Sequence, residues 1–128
     1  MSELKELTQQ LLDFRKERDW EQFHNPKDQI LSLCLEASEV LELVQWRNGS
    51  ELQRHLSESK EQLADELADV LGWVLLIAHD QGIDLPKAME NKIRKNHAKY
   101  PVEQARGESR QIHTLPDLIP GVAPPLFP

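Results

Sequence analysis

An all-α fold, most simply a four-helix arrangement, is predicted by three features of the chain. Apolar residues recur at three- and four-residue spacing along four segments. No segment sustains the two-residue alternation of a half-buried strand. Proline, glycine and capping residues stand where these segments begin and end.

The first helix is expected from about Glu3 to Arg18, with Leu4, Leu7, Leu11, Leu12 and Phe14 as its apolar positions. A polar loop follows, Asp19-Trp-Glu-Gln-Phe-His-Asn25. Asn25-Pro26 supplies an N-cap and a proline at the first helical position. The second helix runs from there to about Trp46, on a stripe of Ile30, Leu33, Cys34, Ala37, Leu41 and Val44, and Asn48-Gly-Ser50 ends it. Residues Glu51 to Ser57 have room for one short helical turn. Ser59-Lys-Glu-Gln62 has the form of a capping box and opens a third helix that reaches Gln81, with Gly82 at its stop. Asp84-Leu-Pro86 opens a fourth helix, to about Lys99, which Tyr100-Pro101 closes.

The remainder differs in composition. Five of the eight prolines fall between Pro116 and Pro128, so regular structure is not expected there. Leu118, Ile119, Val122, Leu126 and Phe127 make this stretch more apolar than a solvated tail, which favours an extended arm docked on its own core or on a neighbouring subunit.

The chain has 128 residues, enough for one domain with a modest core. Its net charge of −7 argues against general binding to nucleic acid or to an anionic membrane. The longest apolar run, Val70 to Ala78, falls far short of the ~20 residues that span a bilayer. No secretory leader is read in Met1 to Arg18, which is charged and amphipathic. The single cysteine, Cys34, is expected as a buried structural thiol in a reducing cytoplasm. That same apolar run lacks a polar face, so other helices of one chain can hardly cover it, and a homo-oligomer is expected.

Two acidic pairs stand out, Glu36-Ala-Ser-Glu39 and Glu66-Leu-Ala-Asp69. Residues three apart share a helix face, so each pair projects two carboxylates to one side. Glu36 lies on the row of Leu33 and Val40, and Glu66 on that of Leu63 and Val70. Acids that interrupt apolar rows on successive helices suit a shared cation site better than a freely solvated surface. Oxygen-only ligands favour Mg²⁺, with Mn²⁺ as second choice, and Mg²⁺ commonly bridges to substrate phosphates. A di-iron bundle would need two Glu-x-x-His motifs, whereas only Glu21-Gln-Phe-His24 is present.

Trp20, Trp46 and Trp73 are three of only seven aromatic residues. Trp20, beside His24 in a polar loop, is the best placed of them to stack on a nucleobase, while Trp73 equally suits a core position. Lys92, Lys95, Asn96 and Lys99 share one face of the fourth helix, where a polyphosphate could lie.

Together these residues resemble the MazG-type all-α nucleoside triphosphate pyrophosphohydrolases, and within them the dCTP pyrophosphatase branch. The paired acids match the superfamily signature. Arg18-Asp-Trp-Glu-Gln-Phe-His-Asn-Pro26, Gln45-Trp46, Asp84-Leu-Pro86 and the Lys92, Asn96, Tyr100-Pro101 segment match the branch. The resemblance spans residues 3–106, so a catalytic domain over 1–106 and a proline-rich extension over 107–128 are expected.

The resemblance implies hydrolysis between the α and β phosphates, to a monophosphate and pyrophosphate. It implies Mg²⁺ held by Glu36, Glu39, Glu66 and Asp69, with Glu39, or else Glu36, activating the attacking water. Trp20, His24 and Trp46 would form the nucleoside pocket, and Lys92, Asn96 and Tyr100 would approach the phosphates. A homodimer or homotetramer is implied. Trp73 departs from the pattern, which carries a tyrosine near the nucleoside. The alternatives are a broader dNTP or dUTP house-cleaning hydrolase and a catalytically silent helical oligomerisation or binding module.

Overall fold

The computed structural model describes residues 2–107, which form helices joined by short turns, with no strand among them. α1 spans Glu3–Glu17, α2 Pro26–Glu42, α3 Gly49–Glu58, α4 Lys60–Asp80, α5 Leu85–Lys99 and α6 Val102–Ala105, with a 3₁₀ turn at Glu21–Phe23. The four helices expected from the sequence are α1, α2, α4 and α5. The short turn expected after Glu51 is instead a ten-residue helix, α3. Leu52, His55 and Leu56 make its half-buried face, which packs on α4. The proline-rich stretch lies outside the described residues.

Local chemistry sets most of these boundaries. Ser2 Oγ accepts from Lys5 N–H at the start of α1, and Asn25 Oδ1 accepts from Asp28 N–H at 2.9 Å at the start of α2. Asp19 takes a left-handed φ of 53° between α1 and the 3₁₀ turn, a conformation that aspartate tolerates better than most residues. The capping box expected at Ser59 is not made. Ser59 is also the C-cap of α3, its N–H donating to His55 O at 2.9 Å, and its φ of −107° and ψ of 25° are not the extended backbone of an N-cap.

α4 is the centre of the first compact unit, which ends at Ile83; α1, α2 and α3 all pack on it, α2 most extensively. The buried apolar residues Leu75, Leu76 and Ala78 all belong to α4. α5 and α6 belong to a second unit beginning at Asp84. Asp84 Oδ1 accepts from Lys87 N–H there, and Tyr100 N–H closes α5 on Asn96 O.

The buried face of α2 is not the expected one. Gln29, Leu33, Glu36, Val40 and Leu43 are buried or half-buried, whereas Ile30, Leu31, Leu35 and Leu41 are each more than half exposed. The inward stripe is rotated by roughly a quarter turn toward the acids. Cys34 goes outward with Ile30, Ala37 and Leu41 and is exposed, not buried, whereas Leu33 and Val44 of the expected stripe remain half-buried. Phe14, expected on the packed face of α1, is also exposed, with the Arg18 guanidinium 3.5 Å from its ring centre. Arg15 occupies the buried position instead, next on the row of Leu4, Thr8 and Leu11.

Candidate metal centre and adjoining aromatic residues

The rotation of α2 turns Glu36 toward α4, and Glu66 lies on the inward stripe of α4 with Leu63 and Val70. Glu39 and Asp69 follow one turn later on each helix. One carboxylate oxygen from each of the four lies within 4.8 Å of the others. Glu36 and Glu66 are half-buried, while Glu39 and Asp69 are open to solvent. Oε2 of Glu36 and Oε2 of Glu66 are shielded from water and have no hydrogen-bond partner.

Four carboxylates so close oppose their own ionisation. At an effective dielectric near 20, two unit charges at this separation repel by about 3–4 kcal/mol. Burial, reinforced by the neighbouring carboxylates of Glu39, Asp69 and Glu66, pushes the Glu36 carboxyl up to about 6. The contact with Glu39, then burial and the charges of Glu39, Asp69 and Asp65, raise Glu66 as well. Two orphaned oxygens, four convergent acids and no nitrogen or sulfur donor fit a hard divalent cation.

A second group of side chains lies along the same helix. Trp73, one turn beyond Asp69 and half-buried, meets His24 with ring centres 5.1 Å apart and planes at 58°. Trp20 leans edge-on against Phe14 at 5.8 Å and stays 46% exposed. Behind His24 lies a part-buried polar network, in which Arg15 and Gln29 are buried and Asp80 reaches the surface. Arg15 donates to Asp80 through both terminal nitrogens, at 2.8 and 3.0 Å, and Gln29 Nε2 donates to Asp80 Oδ2 at 2.8 Å. Arg15 Nη1 also lies 3.4 Å from His24 Nδ1. The paired guanidinium holds Asp80 below the usual carboxylate range, and burial with the Arg15 charge lowers His24.

The remaining expected site residues lie on other elements. Trp46 stands in the turn after α2, 85% exposed, with no ring partner among the described residues. Lys92 and Asn96 lie one turn apart on α5, and Tyr100 caps that helix, with Lys99 Nζ 5.6 Å from its ring centre.

The sequence matches the MazG-like family over residues 31–115, two thirds of its length and inclusive of both acidic pairs. The chain belongs to the MazG-like family. Two similar proteins are dCTP pyrophosphatase 1 of Rattus norvegicus and of Homo sapiens, each 39% identical over 106 residues that make up 81% of this chain. The chain spans 62% of the length of those relatives. A pyrophosphatase from Archaeoglobus fulgidus has a similar structure, with a TM-score of 0.75 and 33% identity, over 79% of this chain and 94% of that one.

Within this MazG-like chain, Arg15, Gln29 and Asp80 are residues that sequence reasoning did not single out. One signal was present. Leu4, Thr8 and Leu11 lead by helical steps to Arg15, so a charged residue occupies an inward position and needs a partner. The partner itself, 65 positions away, carries no local mark.

Proposed function

We propose that the chain is a divalent-metal-dependent nucleoside triphosphate pyrophosphohydrolase that converts dCTP, or modified dCTP, to dCMP and pyrophosphate. The observation that carries this reading is the convergence of Glu36, Glu39, Glu66 and Asp69 within 4.8 Å, with two buried carboxylate oxygens left unpaired. The names of its relatives support the substrate and the class of reaction.

The four acids would hold Mg²⁺, with Mn²⁺ as a substitute. When bound, such a cation supplies electrostatic stabilisation of the charge that grows on the phosphate oxygens. Glu39 is exposed and has a carboxylate oxygen within 4.8 Å of those of Glu36 and Glu66, so it is the carboxylate best placed to receive the proton of an attacking water; Glu36 is the second choice. The water oxygen bonds to the α-phosphorus, the bond to the bridging oxygen breaks, and pyrophosphate leaves. Trp20, His24, Trp46 and Trp73 would contact the nucleoside. Lys92, Asn96 and Tyr100 would contact the phosphates.

Residues 1–106 form the catalytic domain in this reading, and 107–128 an extension. The working form is a homodimer or homotetramer, because Ile30, Leu31, Leu35, Leu41, Leu67 and Leu71 are all more than 40% exposed in one chain. The unpaired Cys34 suits a reducing cytoplasm. Among the described residues no helix is long and apolar enough to cross a membrane. A broader action on dNTPs is the second reading, favoured by Trp73, whose indole offers no hydroxyl to a base or sugar.

Incubation with each dNTP and Mg²⁺, followed by separation of products, tests the proposal. dCMP and pyrophosphate are expected. dCDP with inorganic phosphate would exclude this chemistry. Glu39→Gln, assayed alongside, is expected to lower turnover by at least ~100-fold.

A further inference from the structure

We propose that Arg15 is a positioning residue that holds His24 as the neutral Nε2–H tautomer, so that the imidazole presents one fixed donor to an acceptor on the nucleobase. The proposal rests on the reading above that His24 faces the nucleoside. Its structural half stands on three contacts. Arg15 is 5% exposed, and its guanidinium is gripped by Asp80 through two parallel hydrogen bonds. Gln29, 1% exposed, holds the same carboxylate through Asp80 Oδ2, so neither end of the fork is free to turn. From that fixed fork, Nη1 reaches His24 Nδ1 at 3.4 Å.

Arginine has donors only and remains charged at any working pH. A hydrogen bond from Nη1 therefore requires that Nδ1 be the unprotonated nitrogen. A proton on Nδ1 would set two N–H groups against each other beside a positive charge. The ring proton goes to Nε2, and the other side of the imidazole becomes a donor that cannot accept. The Arg15 charge and the partial burial of the ring both oppose a second proton.

The placement gives this choice a consequence for the substrate. Trp73 abuts His24 and follows Asp69 by one turn of α4, about 6 Å of axial rise. That is the scale of the step from an α-phosphate to its base. Cytosine offers acceptors at N3 and O2. Uracil and thymine share the O2 acceptor and add one at O4, but carry a proton on N3, so to a single donor the bases differ at N3. A histidine free to exchange tautomers serves both N3 patterns. A histidine fixed as an Nε2–H donor and facing N3 opposes N3–H and favours cytosine.

The test combines nitrogen-15 NMR of the imidazoles with steady-state kinetics. His24→Gln assigns the His24 signals. In the wild type, His24 Nδ1 is expected to show the shift of an unprotonated ring nitrogen and Nε2 that of a protonated one. In Arg15→Met the two tautomers should average, KM for dCTP should rise about tenfold with kcat changed less than about twofold, and preference for dCTP over dUTP should fall. Arg15→Met leaves Asp80 unpaired and so endangers folding. The triple variant Arg15→Met/Gln29→Leu/Asp80→Leu removes the whole network and carries the same expectations. A wild-type His24 protonated on Nδ1 overturns the proposal. So does a variant that keeps the wild-type tautomer, or one that loses it with KM unchanged. If the wild type hydrolyses no nucleotide, the functional reading fails, and the NMR alone decides whether Arg15 sets the tautomer.

Discussion

Glu36 works against its surroundings whenever it is ionised without a cation. Its carboxyl is displaced from 4.5 to about 6 by burial and three acidic neighbours. The folded-state value lies above the unfolded one, so the contribution to stability is complete below pH 4.5 and is lost as pH rises through 6. Glu36→Gln keeps the shape and removes the charge. In EDTA, the variant is therefore expected to gain stability over the wild type as pH rises from 4.5 to 7, by on the order of 1 kcal/mol once solvent screening is allowed for. Mg²⁺ should reverse the order, because the cation stabilises the ionised acid and the variant lacks a ligand. Thermal unfolding of both proteins across this pH range, with and without Mg²⁺, checks it. A gap that does not change with pH would show that Glu36 is an ordinary surface acid. The acids were legible in the sequence because three-residue spacing is a local property of one helix. The Arg15–Asp80 pair was not, since its two members become neighbours only after α1 and α4 have packed.

Single helices show the same division between local and tertiary determinants. The end of α4 is local chemistry. Gly82, with φ of 68°, donates to His79 O, and Ile83 N–H donates to Ala78 O, the paired bonds of a Schellman motif. A Cβ at Gly82 would meet nothing within 4 Å, so conformational strain is the only cost of adding one. Gly82→Ala is expected to lower stability by about 1 kcal/mol through the left-handed backbone alone. Denaturant unfolding measures it; a loss near zero would mean that the turn relaxes to another conformation. The inward face of α2 is a tertiary property. Periodicity favoured the face of Ile30, Cys34 and Leu41, since that stripe is the more apolar. The helix instead turns Gln29 and Glu36 inward, because Gln29 bonds to Asp80 and Leu33 and Val40 still fill the same row. The junction at Ser59 follows the same rule: the Ser-x-x-Gln pattern was present, but continuation from α3 took the backbone geometry that the cap required.

For the whole molecule, the outward apolar residues of α2 and α4 are the main unresolved debt of a single chain. Leu35 is 57% exposed and Leu67 51%, each on a helix whose other face is already occupied. Covering such residues contributes roughly 1 kcal/mol or more apiece, and several together are needed to offset the entropy of association. A second copy of the chain would supply a matching surface through a two-fold axis without any further partner. Sedimentation velocity at micromolar concentration is accordingly expected to show a dimer or tetramer. Leu35→Glu distinguishes a covered position from an open one. On a solvated face the change costs within about 0.5 kcal/mol. At a covered interface it buries an unpaired charge on each copy, which costs about 3 kcal/mol or more and weakens assembly by over ~100-fold. The variant should then sediment as a monomer while circular dichroism reports unchanged helix. Should the wild type sediment as a monomer, or the variant assemble as tightly as the wild type, the outward face of α2 is not where the copies meet.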